Sequence, residues 1–179
     1  LFLSSVSGSA TGTGAVAVKS GATLQGTGIS TSTVTAESGS TVVAGNTLGT
    51  TLTVGTLNLA DGASLSVLVN PTTSAANKLV ATGTISLNGQ LVLVKSIESP
   101  YQIGQSFKIL TASSISGALS GISPATPGDG MAWDLSELNT TGTIKVTSVA
   151  TALSKRLNAT DLVVFPNPFT NEVTVKLPI

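Results

Sequence analysis

The stretch TLTVGTLNLADGASLSVLV, from Thr51 to Val69, decides the fold that this sequence predicts. Apolar and polar residues alternate on both sides of the Asp61-Gly62 pair. Alternation with a period of two is typical of a β-strand with one buried face, and Asp-Gly between two such runs predicts a tight turn. The residues predicted to face the core are Leu52, Val54, Leu57, Leu59, Leu65, Val67 and Val69. The Thr, Ser and Asn residues between them are predicted to face water.

The same unit of strand and glycine turn recurs along the chain. It reads SGATL at Ser20–Leu24, SGSTV at Ser38–Val42, DGASL at Asp61–Leu65 and NGQLV at Asn88–Val92. The glycines stand at positions 21, 39, 62 and 89, so the intervals are 18, 23 and 27 residues. Glycine is suited to such turns because it adopts positive φ without steric cost. Repeats of this length predict the coils of a solenoid, whose equivalent strands stack in parallel about 4.8 Å apart.

We therefore predict an all-β protein, namely a single-stranded right-handed parallel β-helix (a β-solenoid) with a C-terminal cap and a short terminal β-hairpin. The alternative is an antiparallel β-sandwich built of hairpins at the Asp-Gly and Asn-Gly pairs, because its local sequence signals are similar. The spaced glycine turns, the hydroxyl residues at outward positions and the few aromatic residues (3% of the chain) favour the solenoid.

Composition excludes several classes of function. The 179 residues include only eight Lys and Arg, which are scattered, and the net charge is zero. Nucleic-acid binding needs a basic surface that neutralises phosphates, so we expect no nucleic-acid partner. No run of about 18 apolar residues is present, so we also expect no direct membrane insertion. Hydrophobic residues make up 41% of the chain, which argues against disorder.

The character of the sequence changes near Ile97, where aromatic and charged residues become more frequent. We predict solenoid coils over residues 1–96, a terminal coil and cap over 97–148, a linker over 149–159 and a closing strand-turn-strand segment over 160–179. An uncovered parallel edge invites pairing with other chains, so the last coil needs a cap. Trp133, Phe107 and Tyr101 are the residues predicted to cover the last apolar ladder, with Trp133 as a cap or core aromatic.

The stretch GMAWDLSELNTTGTIKV, from Gly130 to Val146, resembles the C-terminal end of the passengers with autotransporter-associated β-strand repeats. The positions that match are Gly130, Trp133, Asp134, Ser136, Leu138, Gly142, Ile144 and Val146. With the upstream repeats, the resemblance covers about residues 21–146. Those passengers are built of parallel β-helix coils, so the resemblance implies the same fold here.

The stretch DLVVFPNPFTNEVTVKL, from Asp161 to Leu177, places a Pro-Asn-Pro corner between two β-branched runs. Each proline fixes its own φ, removes an N–H donor and restrains the residue before it, so the corner is stiff. An ordinary turn between two strands would have the same local geometry. The segment also resembles the start of the C-terminal sorting domain of the type IX secretion system of certain Gram-negative bacteria.

This second resemblance assigns residues 160–179 to the beginning of a C-terminal sorting domain. It implies that Phe165, Pro166, Asn167, Pro168 and Phe169 form the sorting signal. It further implies export through the type IX outer-membrane machinery as a partner, and an extracellular or bacterial cell-surface location.

Residues that could carry chemistry are few. The chain has no His and no Cys, so the usual nucleophilic triads and zinc sites are absent. The nearest candidate set is Asp129, Asp134 and Glu137 with Lys145 downstream, since polysaccharide-cleaving β-helices use paired carboxylates or carboxylates with calcium. We expect Asp129 to be a turn residue and Asp134 to cap backbone amides. The prediction is therefore no catalytic residue, no metal site and no cofactor.

These observations predict a secreted, non-catalytic, structural or adhesin-like protein of the cell surface, with a carbohydrate or another surface ligand as a further candidate partner. The alternative is that the chain forms the accessory C-terminal part of a secreted polysaccharide-degrading enzyme.

Overall fold

The computed structural model of the protein describes residues 1–4 and 8–149. The first ten strands are β1 (Phe2–Leu3), β2 (Val16–Val18), β3 (Thr23–Gly26), β4 (Ile29–Ala36), β5 (Thr41–Ala44), β6 (Thr51–Leu59), β7 (Ser64–Val69), β8 (Lys78–Ala81), β9 (Thr84–Leu87) and β10 (Gln90–Lys95). The elements after them are β11 (Ser106–Lys108), β12 (Leu110–Thr111), β13 (Ser114–Gly117), β14 (Gly121–Ser123), β15 (Met131–Asp134), α1 (Leu138–Thr141) and β16 (Thr143–Ser148).

Two parallel sheets form the body of the molecule. The first sheet has the order β1-β3-β5-β7-β10-β14, and the second runs β2-β4-β6 and continues through β8 and β9 to β12 and β13. Every strand pair in these two sheets is parallel. The predicted β-solenoid is thus confirmed, with about 4 turns. The antiparallel sandwich is excluded.

Aliphatic side chains of successive windings lie directly above one another. In the first sheet one column consists of Leu24, Val42, Leu65, Leu91 and Ile122. In the second sheet a column consists of Val16, Val34, Leu57, Ile85 and Ile115. All seven core positions predicted from the stretch Thr51–Val69 are at most 1% exposed. Full burial of such a side chain contributes about 1.5–3 kcal/mol, so the columns are the main source of stability.

The turns between the sheets stack as well. In three of them the third turn residue is a glycine with positive φ, as a type II turn requires: Gly21 at 75°, Gly39 at 77° and Gly62 at 74°. The amide of Gly21 donates to the carbonyl of Gly39 (2.9 Å), and the amide of Gly39 donates to that of Gly62 (2.8 Å). The turns are therefore bonded to each other along the solenoid.

Gly89 differs from the other three repeat glycines, because its φ is not positive. A β-carbon at this position would lie 2.7 Å from the carbonyl oxygen of Ala60 and closer still to that of Ala63. The prediction that all four glycines supply positive φ is wrong here. Close approach of the preceding winding, rather than turn geometry, explains the glycine.

The windings lengthen toward the C-terminus. Successive members of the first column stand at positions 24, 42, 65, 91 and 122, which gives intervals of 18, 23, 26 and 31 residues. Part of the added length is the loop at 70–77, where the side chain of Asn70 accepts hydrogen bonds from the amides of Thr72 (2.8 Å) and Thr73 (3.1 Å). Insertions are accommodated in loops because each winding contacts only its neighbours.

A small antiparallel sheet has the order β11-β16-β15; β11 precedes the strands of the last winding in the chain, whereas β15 and β16 follow them. Its residues Phe107, Ile144 and Val146 are buried and join the same core cluster as the aliphatic columns. Between β15 and β16 the chain forms the single helical turn α1, which is ended by Gly142 in the left-handed conformation (φ 73°). Among the described strands this sheet is the antiparallel part of the fold.

Candidate functional site

Three aromatic side chains pack together where the cap meets the last winding. The ring centroids of Tyr101 and Trp133 lie 5.0 Å apart at an angle of 79°, and those of Tyr101 and Phe107 lie 5.9 Å apart at 85°. Both are edge-to-face contacts, which aromatic pairs prefer. The indole nitrogen of Trp133 donates to the carbonyl oxygen of Pro124 at 2.9 Å. The structure thus places the half-buried Trp133 at the cap with its donor already bonded.

Tyr101 is the central ring of this cluster. It is only 2% exposed, and the Lys95 ammonium lies 4.8 Å from the ring centroid. Its hydroxyl oxygen is buried and has no hydrogen-bond partner among the described residues. Burial disfavours the phenolate and raises the pKa of Tyr101 to about 12. Within the described residues, no hydrogen bond replaces those that this hydroxyl would make to water in the unfolded chain.

The acidic residues singled out in the sequence have structural partners. Asp134 accepts a hydrogen bond from the amide of Ser136 (2.9 Å), which confirms the predicted capping of a backbone amide. Hydrogen bonds from Ser136, and then the positive charge of Lys145, lower the pKa of the Asp134 carboxyl. Glu137 forms an ion pair with Lys145, and this hydrogen bond raises the pKa of the ammonium. Asp129 lies in the turn closed by the bond from Met131 N to Gly128 O (3.1 Å).

The described residues contain neither a cluster of metal-binding side chains nor a membrane-spanning helix. There, no group of three or more His, Cys, Asp and Glu side chains lies close enough to hold a metal ion. No helix within 1–4 and 8–149 is long and apolar enough to cross a bilayer. The surface of the described part carries partly open depressions. One of about 390 Å³ lies beside Lys78 and Lys108, and one of about 240 Å³ lies beside Leu119 and Leu135.

The sorting residues predicted from the sequence are Phe165, Pro166, Asn167, Pro168 and Phe169. All five lie outside the described residues, as does the linker from residue 150 onward. Their assignment therefore continues to rest on the sequence resemblance alone.

The outward face of the second sheet carries a regular set of short polar side chains. The sequence repeats as TVT (33–35), TLN (56–58), TIS (84–86) and SIS (114–116) in β4, β6, β9 and β13. We call this set the hydroxyl array; its members are Thr33, Thr35, Thr56, Asn58, Thr84, Ser86, Ser114 and Ser116. The hydroxyl array was not predictable from the sequence alone. The windings differ in length, so only the pairing register shows that the four triplets are aligned.

The register aligns the hydroxyl array into two columns. In one column Thr35 pairs with Asn58, Asn58 with Ser86, and Ser86 with Ser116. In the other, Thr33 pairs with Thr56 and Thr84 pairs with Ser114. Each member is exposed or half-buried, and none is charged.

The outward face of the first sheet is different. One outward column consists of Thr23, Thr41, Ser64 and Gln90, and the next consists of Phe2, Gln25, Val43, Ser66, Val92 and Ser123. Farther along the same strands Leu68 pairs with Val94. Hydroxyl residues are therefore aligned in one column only, because apolar residues interrupt the others, and Val94 is 43% exposed. Two-dimensional order of hydroxyl groups is thus a property of the second sheet rather than of every outward position.

Comparison with models of known protein families found no match, and comparison with curated proteins found no significantly similar sequence. The class of this chain therefore follows from its own structure. It is a parallel β-solenoid with an antiparallel cap and a face of aligned hydroxyl side chains.

Proposed function

We propose that this protein is a non-catalytic structural or adhesin-like β-solenoid of the bacterial cell surface, secreted by the type IX route. The observation that carries the structural part of the proposal is the uninterrupted stack of aliphatic columns from Leu24 to Ile122. The sequence resemblance of Phe165–Phe169 carries the export part.

A stack of this kind is suited to a spacer or presenting role. Each winding buries its apolar residues against its neighbours, so length can change without loss of the core. The turn ladder through Gly21, Gly39 and Gly62 adds backbone bonds that run along the solenoid. An exposed ion pair between Lys19 and Glu37 (2.5 Å) joins two of the same turns, although exposed pairs add little stability.

The distribution of titratable groups supports a non-catalytic role. Paired carboxylates are needed for glycoside hydrolysis, one as acid and one as base or nucleophile. Asp134 is held by the amide of Ser136, and Glu137 is paired with Lys145. These partners account for both carboxylates as structural groups of the cap.

The proposed partner in export is the outer-membrane type IX machinery, which would recognise the corner at Phe165–Phe169. Pro166 and Pro168 restrain the backbone in advance, so less conformational entropy is lost on recognition. The machinery would then carry the solenoid, which has few charged residues, across the outer membrane.

Export is the decisive test. A reporter protein is fused to the complete C-terminal region of this protein and expressed in a Gram-negative bacterium that has the type IX system. We expect the reporter at the cell surface or in the medium, and retention inside the cell for the double variant Pro166→Ala with Pro168→Ala. The matched control is Pro178→Ala, which changes a proline of the same segment outside the signal. Equal export of both variants would disprove the proposed sorting signal.

A further inference from the structure

We propose that the hydroxyl array is an ice-binding surface, which holds water in positions that continue into the lattice of an ice crystal. The occupant is ordered water at the surface of ice. The inference goes beyond the proposed function, since it concerns the solenoid body and does not depend on how the protein is exported.

The first argument is periodicity in two directions. Paired strands lie about 4.8 Å apart, and alternate residues of one strand lie about 6.6 Å apart. The pairs Thr35–Asn58, Asn58–Ser86 and Ser86–Ser116 repeat the first spacing along a column. The distance between the two columns corresponds to the second spacing, that between alternate residues of one strand. Water oxygens on the faces of ice also repeat in two directions with spacings of this order, so a rigid array can be matched over several repeats.

The second argument is chemical. A threonine hydroxyl both donates and accepts, and its methyl group restricts the orientation of neighbouring water. The hydroxyls of Thr33, Thr56 and Thr84 make no hydrogen bond to any described residue, so they remain available to water. The array contains no charged side chain that would impose its own hydration shell.

The third argument is rigidity. Beneath the array lie the inward residues Val34, Leu57 and Ile85, all 0% exposed. Threonine is stiff at χ1 because it is branched at the β-carbon. The four threonines of the array are therefore ordered before any ligand arrives, so little entropy is lost when water is fixed upon them.

The main competing occupant is the flat face of a neutral crystalline polysaccharide. Sugar rings are commonly held by exposed aromatic faces, which offer a large apolar contact with a polar edge. The aromatic cluster of Tyr101, Phe107 and Trp133 lies at the cap, and no member of the array is aromatic. The geometry thus favours water over sugar.

The test measures thermal hysteresis, the gap between the melting and freezing temperatures of a seeded ice crystal, with the full chain. We expect a measurable gap, faceted crystals and enrichment of the protein in slowly grown ice. Thr84→Tyr, which places a bulky ring in the middle of the array, is expected to reduce the gap to that of a protein that does not bind ice.

Thr23→Tyr is the matched control, because Thr23 is an exposed threonine on the outward face of the first sheet. Circular dichroism melting checks that both variants fold. Absence of hysteresis in the full chain, or equal hysteresis in the two variants, would overturn the proposal. Binding to a microcrystalline neutral polysaccharide that Thr84→Tyr abolishes, without any effect on ice, would also overturn it and assign the array to that ligand.

Discussion

Gly55 lies so close to the backbone of β4 that a β-carbon on it would stand 2.8 Å from the carbonyl oxygen of Ser32. The carbonyl oxygen of Thr31 is closer still. At this point the pairing of β4 with β6 shifts register, since Ser30 pairs with Val54 and Thr33 with Thr56. Two residues of one winding therefore face one residue of the next, and this bulge requires glycine at position 55.

Replacement of Gly55 by alanine is expected to destabilise the solenoid. The φ of Gly55 is not positive, so the cost arises from the steric clash with Thr31 and Ser32 alone. Insertion of an extra carbon into a packed site costs about 1–3 kcal/mol. Chemical denaturation of both proteins measures the free energy of unfolding.

The matched control for this test is Gly121→Ala. Gly121 is also a strand glycine without positive φ, and the nearest atom to its added β-carbon would be Cγ of Gln90 at 3.9 Å. We expect its stability to change by no more than about 0.5 kcal/mol. Equal destabilisation by the two substitutions would show that the close approach at Gly55 is not the cause.

The contrast between Gly62 and Gly55 explains which parts of the fold are predictable from sequence. Gly62 follows Asp61 between two alternating runs, so local chemistry indicates its turn. Gly55 is required by residues more than twenty positions earlier in the chain, and only the register of β4 against β6 reveals them. Inward and outward positions follow from a period of two, whereas bulges and winding lengths depend on contacts between windings.

Truncation of a column residue is expected to be costly. Leu65 is 0% exposed and lies between Val42 and Leu91 in the first sheet. Leu65→Ala removes buried methyl groups and leaves a cavity, at a cost of about 2–5 kcal/mol. Leu68→Ala is the control, because Leu68 lies on the same strand but faces outward, and we expect a loss of about 0.5 kcal/mol. Urea denaturation measures the free energy of unfolding of both variants. Comparable losses in the two would contradict the assignment of Leu65 to the inner face and Leu68 to the outer face.

The candidate functional residues were predictable to different degrees. The sequence predicts that Asp134 caps local backbone amides, and this is predictable because the partner that the structure shows, Ser136, is two residues away. The pairing of Glu137 with Lys145 was not predicted, because it depends on the strand that follows α1. The hydroxyl array needed still more distant information, since Thr33 and Ser114 are brought to one face by four windings.

The carboxylates of the cap are expected to be dispensable for any polysaccharide cleavage by the full-length protein. Asp129→Ala, Asp134→Ala and Glu137→Ala should leave such cleavage unchanged, since these residues act as turn, cap and ion-pair groups. Reducing-sugar release by each purified variant is the measurement. Loss of cleavage in a variant whose melting temperature is unchanged would assign a catalytic role to that carboxylate and contradict the non-catalytic proposal.

Truncation of Phe107, a buried residue of the cap, is expected to expose the end of the solenoid. Phe107 is 0% exposed, and β11, which contains it, pairs with β16. Phe107→Ala should cost about 3–5 kcal/mol of stability. Because uncovered parallel strand edges pair with other chains, we also expect association that grows with protein concentration. Light scattering measures this association. A variant that is destabilised yet stays monomeric at every concentration would show that the cap does not protect the edge.

Tyr101 is expected to make stability fall at alkaline pH. Burial raises its pKa from 10.0 to about 12 in the folded protein, so between these values the unfolded chain releases the proton and the folded protein retains it. The unfolded state then binds fewer protons, and the free energy of unfolding decreases as pH rises through this window. Tyr101 is the single tyrosine of the chain, so phenolate absorbance measures its pKa directly.

Tyr101→Phe is the variant that isolates this effect. It removes a buried hydroxyl that has no partner among the described residues, and such a group costs about 1–3 kcal/mol. We therefore expect equal or greater stability near neutral pH and a smaller loss between pH 10 and 12. The two proteins differ only at position 101, so the difference between the two pH profiles belongs to the Tyr101 hydroxyl. A phenolate pKa near 10 in the native protein, together with parallel profiles, would mean that the hydroxyl reaches water and that the cap is more open than its packing indicates.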